Sequence, residues 1–120
     1  NRVSMDTLPR CPHCGNYLIA NLRCDDTFVE KPHMKNSEKY RDFLRENINK
    51  NILFLELGVG YNTPVIIRYP FEKMTYNLDK STLARVNKGM ATVSKEIEDK
   101  SISLDEDINK VLLDVIKNMN

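Results

Sequence analysis

The clearest apolar pattern in this chain is the run Ile52-Leu53-Phe54-Leu55-Glu56-Leu57, followed by Gly58-Val59-Gly60-Tyr61-Asn62-Thr63-Pro64. A near-continuous apolar run of this length predicts a strand with both faces covered in a parallel sheet. The glycines predict a tight turn, with Thr63 as N-cap and Pro64 as first residue of a helix. Pro70 then divides the next stretch into two short helical pieces, 63–68 and 70–76. Leu83, Ala84 and Val86 mark a second strand over 82–86. Residues 90–97 fit a loop or a strand equally well.

Helical spacing appears twice. Tyr40, Phe43, Leu44 and Ile48 form one apolar stripe, with Ser37 as its cap and the Asn-rich segment 47–51 as its end. Ile108, Val111, Leu112, Val115, Ile116 and Met119 form the other, and Ser103 with Glu106 has the spacing of a capping box before it. Upstream the pattern weakens. Residues 1–10 read as a leading loop, Cys11 to Gly15 as a tight knuckle, and 17–23 as a short strand leaving it. Residues 25–36 are polar and irregular, with Pro32 breaking any helix there.

Helix, strand, helix, strand, helix is an α/β order that builds a parallel sheet. Two such strands are too few to cover a strand as apolar as 52–57. The expected fold is therefore the C-terminal part of a Rossmann-like parallel-sheet domain, preceded by a partial zinc knuckle. On this reading residues 1–36 hold the knuckle and an irregular loop, and 37–120 the α/β part with the glycine turn. Taken alone, the chain is expected to expose an edge and an apolar face at 52–57, and so to self-associate.

Composition changes this picture little. Apolar residues make up 41% and charged residues 29% of the 120, with a formal net charge of +1. That balance argues against electrostatic binding of nucleic acid or a membrane surface. No stretch approaches the roughly 20 apolar residues of a membrane span, and no signal-peptide core is visible. Cys11, Cys14 and Cys24 are an odd set, which suits a reducing, cytoplasmic setting better than a disulfide framework.

Three features carry candidate chemistry. Cys11-Pro12-His13-Cys14-Gly15 has the spacing of a zinc half-site, because a glycine behind the pair lets both thiolates face one ion. Plain thiols and a redox pair are the other readings, and no second CxxC exists to complete a metal site. Gly58, Val59 and Gly60 between a buried strand and a helix start suit a phosphate or dinucleotide, helped by polar donors at Asn62 and Thr63. A tight turn without a ligand is the plainer reading of the same residues. Asn87 sits at a strand's carboxyl end, where it could hold a ribose hydroxyl or simply form a turn with Lys88-Gly89.

In their serial order these segments resemble the C-terminal portion of a sirtuin, a family of NAD-dependent protein deacylases and ADP-ribosyltransferases. The matching residues are Pro9-Arg10-Cys11-Pro12-His13-Cys14-Gly15, then Asn21-Leu22-Arg23 with Asp25-Asp26-Thr27-Phe28-Val29-Glu30, then Leu55 to Pro64, then Val86-Asn87. The likeness runs from about residue 9 to the end and is nearest a divergent bacterial branch close to the macrodomain-linked sirtuins. It implies that Cys11 and Cys14 are the second half of a structural zinc site. Phe28, Val29 and Glu30 fall on the segment flanking the acyl-lysine channel. Gly58, Val59 and Gly60, with Asn62, fall on the loop meeting NAD, Asn87 on the adenosine ribose contact, and Leu104 and Asp105 where the chain passes the adenine.

Departures from the family pattern narrow the expectation. Val59 and Gly60 stand where the family has hydroxyl residues, and Val29 where it has glycine, which counts against ordinary peptide deacetylation. The resemblance places the first NAD loop and the catalytic His upstream of the zinc cysteines, so these 120 residues alone are expected to be inactive. The parent would act on NAD and an acylated or ADP-ribosylated protein. The alternative, from another class, is a non-catalytic zinc-knuckle α/β module that binds a protein partner.

Overall fold

The computed structural model describes residues 3–24 and 26–119. It resolves into two compact units, Asn1–Tyr40 and Arg41–Asn120. Asp25, part of the resemblance noted above, lies outside the described residues.

In the second unit the aliphatic runs pair as an all-parallel, three-stranded sheet of order β1-β2-β3: β1 is Ile52–Leu57, β2 is Ser81–Val86 and β3 is Ser101–Leu104. The α/β class and parallel sheet expected from the sequence are what the chain forms, and they are compatible with a piece of a Rossmann-like domain. Helix α2 (Arg68–Asn77) connects β1 to β2, and a short 3-10 helix at Lys95–Lys100 leads into β3. Helix α3 (Ile108–Asn118) closes the chain. One face of the sheet carries the core: Ile52, Phe54, Leu83 and Ile97, with Leu44, Phe71, Met74, Leu78 and Val93 packed against them.

β1 is covered on one face only: Ile52, Phe54 and Glu56 are buried, whereas Leu53, Leu55 and Leu57 are 60%, 48% and 40% exposed. They share that open face with Ile102 and Leu104 of β3, so the edge and apolar face expected of the isolated chain are present. β3 is an additional strand. Ser103 lies within it and donates to the Ala91 carbonyl instead of capping a helix. Asp107 caps α3, accepting from Lys110 N at 3.1 Å, while Glu106 accepts from Asp107 N.

Residues 63–67 form turns, not a helix, and Pro70 falls in the first turn of α2, where its missing N–H costs nothing. The same reasoning corrects the earlier helix α1. It spans Lys31–Asn47, taking Pro32 into its first turn, so the expected loop at 31–36 is helical. Ser37 is therefore inside the helix, donating to the Met34 carbonyl at 2.6 Å.

In the first unit the knuckle forms as a turn. Cys11 N donates to Asn16 O at 2.8 Å and Gly15 N to Cys11 O at 2.9 Å, with Gly15 at φ +74, a conformation that glycine adopts without strain. The strand expected over 17–23 reduces to a single antiparallel bridge between Arg10 and Tyr17. The Arg10 guanidinium stacks on the Tyr17 ring at 4.0 Å and donates to its hydroxyl at 2.6 Å.

Candidate functional site

The carboxyl edge of the sheet is where β1 ends in the glycine loop. Gly58 takes φ +69 and donates its N–H to the Val86 carbonyl at 2.8 Å, turning the chain away from the sheet. A Cβ at this position would meet Ile108 Cδ1 at 3.1 Å, so both backbone and packing select glycine here. Gly58, Val59, Gly60 and Asn62, together with Thr63, Ile66 and Ile67, line one open cavity of about 370 Å³. The structure thus brings the predicted loop residues to a single concavity.

Asn87 joins them indirectly. Its Nδ2 donates to the Val59 carbonyl at 3.0 Å, while its backbone N–H donates to the Leu104 carbonyl at 3.1 Å. Leu104 is the last residue of β3, and Asp105 follows it, accepting from Gly89 N at 2.6 Å. Both residues precede the last helix, which starts at Ile108 and not directly after Ser103 as the expected capping box had it.

Behind the loop lies a buried charge network that the motif reading missed. Arg85 and Glu56 are both fully buried and pair face to face, Nε to Oε2 at 2.6 Å and Nη2 to Oε1 at 3.1 Å. Arg85 Nη1 also donates to Glu72 at 2.9 Å and to the Thr92 carbonyl at 2.6 Å. Burial opposes the charged form of Arg85, but its bonds to Glu56 and Glu72 outweigh that and hold its pKa above the ordinary value.

Arg68, equally buried, has a different set of partners. Nη1 donates to the carbonyls of Val59 at 3.2 Å and Met90 at 3.1 Å; Nη2 donates to Thr92 O at 2.7 Å and Tyr61 Oη at 2.9 Å. Its guanidinium lies 4.0 Å from the Tyr61 ring centre. Glu72 is 3.8 Å from Arg68 Nε, which has no hydrogen-bond partner among the described residues. A signal for the Glu56–Arg85 pair was present in the sequence. Each is the fifth residue of its strand, and the parallel register sets them side by side.

The other predicted residues lie in the first unit. Asn21 pins Val29 through two 2.9 Å bonds, its Nδ2 donating to Val29 O and its Oδ1 accepting from Val29 N. Arg23 lies over the Phe28 ring at 4.5 Å and pairs with Glu30. Phe28, Val29 and Glu30 are thus fixed by the Asn21-Leu22-Arg23 segment. Val29 is exposed and lies with Ile19, Ala20, Asn21, Thr27 and His33 on a second cavity of about 450 Å³.

Cys11 and Cys14 share the knuckle turn, and among the described residues no group of three or more His, Cys, Asp or Glu side chains comes together to hold a metal ion. Two thiols are half of a tetrahedral zinc set. Backbone N–H groups of Cys14 and His13, and then the Cys14 side chain, lower the Cys11 pKa from the ordinary thiol value. Alkylation of Cys11, followed by peptide mass spectrometry across a pH series, should therefore reach its midpoint below that of an unfolded Cys11 peptide. Coincident midpoints would contradict the turn as drawn.

No helix among the described residues is long and apolar enough to cross a membrane.

A parallel α/β sheet whose first strand ends in a braced glycine loop over a cavity is compatible with a fragment of a Rossmann-like fold. No family model matches the chain. Over 118 residues it is 28% identical to a protein ADP-ribosyltransferase of Staphylococcus aureus (strain Mu50), the match covering 97% of this chain and 38% of that protein. Over 102 residues it is 34% identical to a probable bifunctional ADP-ribose hydrolase/ADP-ribosyltransferase of Fusarium oxysporum f. sp. cubense, covering 80% of this chain and 17% of that protein. The chain thus spans well under half the length of these relatives, both named for ADP-ribosyl transfer.

Proposed function

We propose that this chain supplies half of the NAD cleft of a sirtuin-type, NAD-dependent ADP-ribosyltransferase. The observation that carries the reading is the loop Gly58–Gly60: it tops a parallel strand, lines a cavity and is braced from behind by the buried Arg68 and the half-buried Asn87. The names of the two relatives favour ADP-ribosyl over acyl transfer. So does Val29, whose side chain takes room that a glycine would leave for a peptide strand.

On this proposal residues 37–120 are the dinucleotide-binding part and 1–36 the knuckle and substrate-flanking part. Backbone N–H groups at Val59 and Gly60 and the Asn62 side chain meet the NAD phosphates, since no hydroxyl side chain stands at 59 or 60. Asn87 and the Leu104-Asp105 link bound the adenosine side. Phe28, Val29 and Glu30 wall the site for the protein acceptor. If zinc is bound, Cys11 and Cys14 hold it with two further donors from outside the described residues, and it serves structure.

The test is thermal stabilisation of the full-length protein by NAD and by ADP-ribose, wild type beside Asn87→Ala. A clear shift in the wild type is expected, with ligand affinity about tenfold weaker in the variant, or about 1.4 kcal/mol. A folded wild type that neither ligand stabilises would sink the proposal.

A further inference from the structure

Two buried arginines stand side by side under the glycine loop, and they spend their donors differently. Arg85 gives three of its four hydrogen bonds to carboxylates. Arg68 gives none of its four to a carboxylate: three go to the carbonyls of Val59, Met90 and Thr92, and one to the Tyr61 hydroxyl. Arg85 is an anchor of charge. Arg68 is a clamp on backbone, and it ties the glycine loop to the 90–92 segment.

The Val59 carbonyl receives two side-chain donors, Arg68 Nη1 at 3.2 Å and Asn87 Nδ2 at 3.0 Å. A trans peptide is planar, so its N–H points opposite to its C=O. With the Val59 oxygen held inward toward Arg68 and Asn87, the Gly60 N–H must point away from them. Gly60 itself lines the 370 Å³ cavity, and its N–H has no partner among the described residues. Its Cβ-less backbone also admits Met90, whose Sδ lies 3.2 Å from where a Cβ would stand.

We infer that Arg68 is a positioning residue, fixing the Val59–Gly60 peptide so that the Gly60 N–H faces the cavity as a donor to the diphosphate of the bound dinucleotide. The inference rests on the NAD reading above and adds the residue on which the loop's phosphate recognition depends. The guanidinium is suited to this because its planar fork reaches several carbonyls at once. A lysine at 68 keeps the charge but, as a point donor, cannot span Val59, Met90, Thr92 and Tyr61 together.

The test compares the full-length wild type with Arg68→Lys, by calorimetry with ADP-ribose and with adenosine, and by ¹⁵N relaxation of the Gly60 amide without ligand. Expected is about tenfold weaker ADP-ribose binding with adenosine binding within about twofold of wild type, and a Gly60 amide that loses order. Equal weakening of both ligands, or an unaltered Gly60 amide, would overturn the inference. If the wild type binds neither ligand, the NAD reading and the diphosphate role fail together, and the amide then reports only whether Arg68 braces the loop. Should Arg68→Lys not fold, the wild type alone still tests the bracing: a Gly60 amide without the order of the flanking strand amides overturns it.

Discussion

Arg85→Met is expected to destabilise the protein by about 3–5 kcal/mol, because it strands a carboxylate in the interior. Glu56 is 1% exposed and takes both of its described side-chain bonds from Arg85. Without the guanidinium its charge has neither partner nor water, and Glu72, whose nearer oxygen also binds Arg85, loses its shortest contact. The informative control is Arg85→Met combined with Glu56→Met. Removing both charges leaves apolar groups of similar length, so the double variant should be more stable than Arg85→Met alone. Urea unfolding of the three proteins reads this directly. A single variant within about 1 kcal/mol of wild type would mean that water reaches Glu56, contrary to its burial.

The same network should ignore salt. Surface pairs such as Lys110 with Glu106, half or more exposed on the lysine side, are screened over a Debye length of about 8–10 Å. The Arg85–Glu56 pair is enclosed by protein, so the destabilisation of Arg85→Met should change little as ionic strength rises. The network is also what connects stability to the site. Its two arginines share the Thr92 carbonyl as acceptor, and Arg68 reaches from there to Val59. Loss of Arg85 is therefore expected to loosen the loop as well as the sheet.

What could be read from the sequence follows from how local each signal is. β1 and α3 announce themselves by runs and periodicity, and β2 by its apolar triplet, since these depend on near neighbours in the chain. Gly58 was legible because a positive φ after a strand is a local demand. β3 was not, since Ser101-Ile102-Ser103-Leu104 is short and its serines suggest a cap; only pairing with β2 makes it a strand. Pro32 and Pro70 misled in the same manner, each read as a break though each sits in a first helical turn. Arg68 was invisible as a site residue because its partners are backbone carbonyls 9 to 24 positions away.

The run Ile52–Leu57 reads as a strand built for cover on both faces, yet this chain leaves one face open, and a pair of alanine variants tests what covers it. Phe54 is 3% exposed and its ring packs on Phe71 at 5.0 Å between centres. Phe54→Ala should cost about 3–5 kcal/mol, the transfer of a buried ring plus the cavity left behind. Leu55, next along the strand, is 48% exposed on the open face. In the 120-residue chain Leu55→Ala should stay within about 1 kcal/mol of wild type, because it vacates little packed volume. The apolar run itself, however, is of the kind selected by cover on both sides. In the full-length protein, a Leu55→Ala penalty rising toward that of Phe54→Ala would show that another layer rests on Leu53, Leu55, Leu57, Ile102 and Leu104. A penalty equally small in both settings would show instead that the face is open in the working protein.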